Sequence, residues 1–340
     1  MTKDSVVSIL KNATDYVSGE VISKTLGISR AAVNKAVKSL RSEGYTIGSV
    51  TNKGYILLEG PDHLSAGEMQ SYLGEERMKD VICLETTPST NLHLHGIAFE
   101  AADRTVVVAN EQTAGRGRLG RSFESPKDTG IYLSYLMKPQ MAPQDATMIT
   151  AWTAVAVCRA IERVCGTTPE IKWVNDIVLD KKKVSGILTE MMLESETGRV
   201  QSIIIGIGIN VNENTADFSK ALRDKATSLR MVTGKCFSRA YLASALVEEL
   251  DAMYEAYPQA AGEFLEEYQR RCKMTAKEVS VISVAPVSAA EVGKDAAHTP
   301  RHAVVLGINQ DFSIQVKYDD GTMEALNSGE VSVRGMYGYL

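Results

Sequence analysis

The sequence predicts an α+β protein in three parts: a winged helix-turn-helix at the amino end, a central α/β sheet domain, and a small SH3-like β-barrel at the carboxy end. Three features carry that prediction. A basic window near the start holds two short helices about a glycine. Long apolar strands and one apolar helix fill the middle, and short strands parted by Asn, Asp and Gly turns finish the chain. At 340 residues the chain is long for one domain, and the changes of texture divide it into residues 1–62, 63–274 and 275–340.

With 44% apolar and 23% charged residues the chain has material for a sizeable core. The amino end, MTKDSVVSIL, lacks a basic stretch followed by a long apolar one, and nowhere do about 18 apolar residues run together. A cytoplasmic protein with no membrane partner is expected. The five cysteines, Cys83, Cys158, Cys165, Cys236 and Cys272, are odd in number and show no C-x-x-C spacing. They are expected to be buried free thiols, with no metal held by the protein.

Taken in order, residues 4–12 read as a short helix capped by Asp4, and Ser18 caps a second from Gly19 to Leu26 that Gly27 ends. A third helix, capped by Ser29, sets Val33, Val37 and Leu40 on one stripe and leaves Arg30, Asn34, Lys38 and Arg41 on another. Residues 45–50 and 54–58 are then two strands joined through Asn52, Lys53 and Gly54 as a wing. Two helices about a tight turn, the second basic on its outer face, suit a DNA major groove. Ser29, Arg30, Asn34, Lys35 and Lys38 are the residues expected to meet DNA. The charge agrees: the chain carries −5 overall, yet between residues 24 and 53 Lys24, Arg30, Lys35, Lys38, Arg41 and Lys53 face only Glu43, six minus one, or +5. A small helical protein-interaction domain is the alternative, which the wing and the charge reversal disfavour.

A polar stretch around Pro61 serves as a linker. Beyond it residues 105–110, 131–137, 171–174, 184–193 and 203–209 read as strands. Residues 146–164, apolar nearly all round and ended by Gly166, read as a helix buried against a sheet. Helices over residues 239–257 and 261–272 close this domain. From Glu278 onward strands at 304–308, 312–318, 322–326 and 331–334 alternate with turns at 309–311, 319–321 and 327–329, as a small barrel requires. Residues 285–301 stay unassigned.

Chemistry concentrates in three stretches. Residues 111–121, EQTAGRGRLGR, follow a strand and interleave Gly115, Gly117 and Gly120 with Arg116, Arg118 and Arg121. Glycines let backbone approach a ligand and guanidinium forks suit phosphate or carboxylate, although such loops also occur as solvated turns or RNA contacts. Lys172-Trp173-Val174-Asn175-Asp176 is followed by Lys183-Val184-Ser185-Gly186, where Lys183 opens an apolar strand. It is placed either to set a positive charge beside a phosphate or to sit in an exposed lysine run. Gly206-Ile207-Gly208-Ile209-Asn210 ends a strong apolar strand with two glycines on one face, room for a flat ligand or for close helix packing. No P-loop and no G-x-G-x-x-G is present.

Ser89-Thr90-Asn91, residues 112–121, 172–176, 183–186 and 206–210 resemble, in order and spacing, the successive motifs of biotin protein ligases. With the amino-terminal domain, nearly the whole chain is similar to the bifunctional class that is also the biotin operon repressor. Two positions depart from that pattern: Val174 stands where relatives commonly carry proline, and Phe123 where they often carry tryptophan. Both are expected to be tolerated.

The resemblance implies a central domain of the biotin/lipoate ligase type that uses biotin, ATP and Mg2+. Biotin's carboxylate attacks the α-phosphorus, pyrophosphate leaves, and biotinyl-5'-AMP acylates a lysine of biotin carboxyl carrier protein. It further implies that Ser89, Thr90 and Gln112 bind the ureido ring, with Asn91 in the same motif. Arg116 and Arg118, in the loop of Gly115 and Gly117, hold carboxylate and phosphate, and Lys183 neutralises charge at the acyl-phosphate link; these three cations are the catalytic residues. Phe123 covers ligand, Gly186, Leu188, Ile207 and Gly208 wall the valeryl tail, and Asn175, Asp176 and Asn210 lie near the nucleotide and floor. A homodimer that binds operator DNA with biotinyl-5'-AMP as corepressor, silencing biotin synthesis and transport genes, completes the expectation. A silent biotin sensor and a lipoate ligase are the alternatives. The three intact cations disfavour the first, and the Ser89, Thr90, Gln112 set disfavours the second.

Overall fold

The computed structural model describes the chain apart from residues 1, 52, 61, 144–147, 195, 284–299, 328–330 and 336–340. Asn52 in the wing turn, Pro61 in the linker, the first residues of the helix read at 146–164, part of the turn at 327–329 and nearly all of the unassigned 285–301 segment lie outside the described residues.

The amino-terminal part holds α1 (Thr2–Lys11), α2 (Gly19–Leu26), α3 (Arg30–Ser42), β1 (Thr46–Val50) and β2 (Gly54–Glu59). Ser18 and Ser29 cap α2 and α3 by accepting from the backbone N–H of Val21 and Ala32. Asp4 lies in the first turn of α1 rather than capping it, because the helix already begins at Thr2. Val33, Ala36, Val37 and Leu40 bury one stripe of α3 against Val6, Val7, Leu10 and Ile22, a core of its own. Gly54 is required at the start of β2: its φ is +115°, and a Cβ there would stand 2.1 Å from the Val17 carbonyl oxygen. That approach lets Val17 and Tyr55 exchange backbone hydrogen bonds of 2.8 and 2.9 Å, pinning the wing to the loop before α2. Arg41, expected on the outward stripe of α3, instead forks onto the Ile47 carbonyl and Ser49 Oγ, so it anchors β1.

The central part runs α4 (Ala66–Met78), β3 (Val81–Leu84), α5 (Thr90–Ile97), β4 (Val106–Ala109), β5 (Ile131–Met137), α6 (Ile149–Cys165), β6 (Glu170–Lys172), β7 (Asp176–Leu179), β8 (Lys182–Leu193), β9 (Val200–Ile209), α7 (Leu229–Thr233), α8 (Arg239–Ala256) and α9 (Ala261–Arg271). Its sheet has the order β3-β4-β5-β9-β8-β7-β6, with β3 and β4 parallel and every other pair antiparallel. Helix α6 is apolar nearly all round because it is sandwiched: Trp152 stacks on Phe264 of α9 at 4.0 Å between ring centroids, and Thr150 meets Thr189 of β8. The opposite face of the sheet carries α5, whose Leu94 packs with Val107, Leu136 and Ile204. That face is left open beyond α5, and the cleft forms there.

The carboxy-terminal part, read as a small barrel, is an antiparallel sheet of β10 (Glu278–Ser283), β11 (Arg301–Ile308), β12 (Ile314–Tyr318), β13 (Met323–Leu326) and β14 (Val331–Gly335) in the order β13-β12-β11-β10-β14. Its apolar side is continuous with the core of the central part. No helix among the described residues is long and apolar enough to cross a membrane. Of the thiols, Cys158 and Cys272 are buried as expected, whereas Cys236 is exposed and Cys83 and Cys165 are half-buried. Burial pushes the Cys158 thiol up to about 12, so it is inert.

Candidate active site

The floor of the cleft follows from register. In the β8–β9 ladder Gly186 pairs with Gly208 and Leu188 with Gly206, and directly paired residues project to the same face. A Cβ on Gly206 would stand 2.3 Å from Asn91 Oδ1, and one on Gly208 would stand 2.4 Å from the Phe123 ring. Only glycine lets those two side chains lie on the sheet. The resulting cleft is bordered by Ser89, Thr90, Asn91 and Gln112 at one end and by Arg118, Asn175 and Lys183 at the other.

The first end is a hydrogen-bonded chain. Ser134 Oγ lies within hydrogen-bond reach of Thr90 Oγ1 and Asn91 Oδ1, at 2.7 and 2.5 Å. Gln112 Oε1 accepts from the Thr90 backbone N–H at 2.9 Å, while its Nε2 donates to Ser125 Oγ. Ser89 stands at the start of α5 without making a capping bond. Buried donors and acceptors held this way suit a ligand with polar edges, because each group is already oriented.

At the other end Asn175 is fixed from behind. Its Nδ2 donates to the Ile187 carbonyl at 2.9 Å and its Oδ1 accepts from Arg118 at 3.1 Å. The turn before it is held by the Trp173 indole, which donates to the Phe312 carbonyl at 2.8 Å, and by Tyr268, which donates to the Val174 carbonyl at 3.2 Å. The Trp173–Val174 peptide is cis. Lys183 Nζ lies 2.5 Å from Asp176 Oδ1 and 6.0 Å from the centre of the Phe123 ring. Burial pulls the Arg118 pKa down, and the nearby Asp176 opposes that shift, so the guanidinium stays a cation in a low-dielectric pocket.

The glycine and arginine loop closes on itself: Gly117 N–H donates to the Arg121 carbonyl at 2.7 Å and Phe123 N–H to the Gly115 carbonyl at 2.9 Å. Gly115 does not border the cleft. A Cβ there would strike the Phe123 carbonyl at 2.3 Å, so it is a packing glycine of the loop. The two arginines diverge. Arg118 turns to Asn175, whereas Arg116 reaches Glu190 of β8 at 3.2 Å.

Of the other residues singled out in the sequence, Arg116, Gly117, Phe123, Gly186, Leu188, Ile207 and Gly208 border the cleft. The Ile207 side chain cannot wall a ligand, since strand alternation buries it in the core behind the sheet. Asp176 is not among the bordering residues but stands beside the cations Lys183 and Arg118 that are. Asn210 lies outside it, donating instead to the Thr227 carbonyl at 3.0 Å to tie the end of β9 to the chain before α7. Ser134, Ser125 and Glu190 were given no role in the sequence. Ser134 had one signal, a lone small polar residue among the aliphatic and aromatic side chains of a fully buried strand. On α3, Ser29, Arg30, Asn34, Lys35 and Lys38 are all exposed. Ser29 also serves as the cap, and Asn34 donates to Tyr55 Oη at 3.3 Å.

A glycine-floored cleft on a mixed sheet, cationic at one end, is joined here to a winged helix-turn-helix, the arrangement of a small-molecule site coupled to a DNA-binding domain. Residues 82–210 match the Biotin/lipoate A/B protein ligase family, and residues 2–56 match an HTH domain. The bifunctional ligase/repressor BirA of Bacillus subtilis is 39% identical over 259 residues, covering 76% of this chain and 79% of its own. The protein of that name from Escherichia coli is 32% identical over 254 residues, covering 75% and 77%. Biotin protein ligase from Aquifex aeolicus, solved in complex with biotin and ATP, aligns with a TM-score of 0.61 and 26% identity over 76% of this chain and 99% of that one. The chain belongs to the family of bifunctional biotin ligase/repressors.

Proposed function

We propose that this chain condenses biotin with ATP to biotinyl-5'-AMP and transfers the biotinyl group to a lysine of a biotin carboxyl carrier protein. The observation that carries the reading is the polarity of the cleft. An oriented amide and hydroxyl set, Thr90, Gln112 and Ser134, faces one end; the cations Arg118 and Lys183 face the other; and the glycine floor spans the distance between. Biotin fits that order, ureido ring to tail to carboxylate, with its polar ring edges costly to bury unpaired.

The transfer needs no enzyme nucleophile. The protein contributes position and fixed charge: Lys183 and Arg118 stand where negative charge grows as the carboxylate meets the α-phosphorus. Lys183, held by Asp176, is already oriented before substrate arrives. Among the described residues no group of three or more His, Cys, Asp or Glu side chains converges, and Mg2+ is proposed to enter on the phosphates.

The basic face of α3 is proposed to enter the major groove, with Arg30, Lys35 and Lys38 toward DNA and the wing beside it. A single module with this charge binds weakly, so a homodimer that sets two such helices on successive half-sites is proposed as the repressor. Biotinyl-5'-AMP, by filling the cleft beneath the loop, is proposed to favour that dimer, and unmodified carrier protein competes by consuming it.

Incubation with ATP, biotin and a carrier domain, followed by intact mass, tests the ligase reading. One biotinyl group per carrier is expected; an unmodified carrier together with no ATP turnover would sink it. Sedimentation and operator titration with and without biotinyl-5'-AMP test the dimer, which equal assembly in both conditions would refute.

A further inference from the structure

Strand alternation places Glu190 on the same face of β8 as Gly186 and Leu188, one step beyond the bordering residues and opposite Ile204 in the ladder. Its carboxylate is engaged on both oxygens. Oε2 accepts from Asn91 Nδ2 at 2.7 Å and faces His95 Nε2 at 3.6 Å; Oε1 faces the Arg116 guanidinium at 3.2 Å. Asn91 is the side chain that lies on Gly206 and meets Ser134, so Glu190 belongs to the Thr90 and Gln112 end of the cleft. Arg116 belongs to the loop above that cleft. The pair therefore crosses the mouth.

We propose that Glu190 is a positioning residue that latches the 115–123 loop over the biotin end of the cleft through Arg116, and that Arg116 acts through this latch rather than on phosphate. The inference rests on reading the cleft as a biotin site. Backbone bonds make the loop one unit, so a side chain anchored at either end restrains all of it. One end is held by Phe123 on Gly208 and the other by Arg116 on Glu190. Arg116 is directed to Glu190, whereas Arg118, 3.1 Å from Asn175, is directed to the nucleotide end.

The test is a double-mutant cycle read on biotin dissociation without ATP. Glu190→Gln keeps an acceptor for Asn91 and removes the charge; Arg116→Gln removes the partner. Each single change is expected to speed biotin release about fivefold, the range of a partly exposed ion pair. The double variant is expected to release no faster than either single, because both break one latch. The KM for ATP should not move in Glu190→Gln. Additive effects, or an Arg116→Gln variant that raises the KM for ATP while Glu190→Gln releases biotin like the parent, would overturn the latch. A parent that binds no biotin at all overturns the reading of the cleft and the latch with it.

Discussion

Lys183 shows how much one side chain settles here. Its ammonium is tied to Asp176 at 2.5 Å, and a Cβ on Gly186 would stand only 2.7 Å from it, so the strand itself makes room for the charge. Lys183→Ala is expected to slow adenylate formation by about two orders of magnitude, since a preorganised charge at a developing anion contributes on the order of 3 kcal/mol. Pyrophosphate exchange measures this, and a normal exchange rate would return Lys183 to the solvated lysine run. The glycine pattern at 206 and 208 was legible because strand alternation alone puts both on one face. Glu190 and Ser134 were not, because a polar residue in an apolar strand does not reveal its partner on a distant loop or helix. Glu213 was equally hidden. Burial pushes its pKa up to about 7, outweighing the backbone and Thr129 hydrogen bonds it accepts and the nearby Arg239. Unfolded, it ionises near 4.5, so between 4.5 and 7 the folded chain holds the extra proton. Stability falls as pH rises through that window and stays lowered above it. Glu213→Gln should therefore melt higher than the parent at about pH 8, an advantage that vanishes by about pH 4.5; equal melting across the range would count against a buried ionising carboxyl.

Among the elements, those with clear periodicity were found and those with divided loyalties were not. Helix α4 turns through Gly74 at φ +76° and shares itself between α1 and α8, so no single apolar stripe marks it. Strand β7 is four residues long between a turn and a lysine run. By contrast α2 and β5 have the limits read from their caps and texture, and α8 ends one residue short of the reading. Three segments meet at the start of α8. Arg239 is fully buried, and its guanidinium donates to the Asp62 carboxylate at 2.8 Å, to the Asp62 carbonyl at 2.7 Å and to Asn110 and Gly130. Asn212, just past the glycine floor, also donates to Asp62 at 2.7 Å. Removing one member of such a buried set costs more than its own contacts, because the others keep their charge. Arg239→Ala is expected to cost about 3 kcal/mol in denaturant unfolding, and a loss below about 1 kcal/mol would show that water replaces the guanidinium without penalty.

Over the whole molecule the boundary read near residue 62 is where the DNA-binding part and the ligase part are stitched together. Glu68 of α4, nearly inaccessible to solvent, accepts from Tyr45 at 2.9 Å and pairs with Lys11. Gly67 permits the contact, since a Cβ would meet the Asp4 carbonyl at 2.5 Å. The stitches were not legible in the sequence, because their partners lie far apart in it. They also predict that the exact point of a truncation matters. A chain beginning at Asp62 loses the basic face of α3 and its partners for Glu68, yet keeps the carboxylate that Arg239 needs. One beginning at Ser65 also loses Asp62 and the Leu64 carbonyl, which accepts from Asn110 at 3.0 Å. Neither should bind DNA, because the +5 window lies wholly in the deleted part. The longer chain should retain biotinylation within about an order of magnitude of the parent, while the shorter should melt lower and lose more, since the Asp62 to Asn212 tie steadies the segment that continues from Gly208. Carrier biotinylation and thermal melts of the two chains side by side decide it, and indistinguishable behaviour would mean that Asp62 and Arg239 carry nothing from the junction to the floor of the cleft.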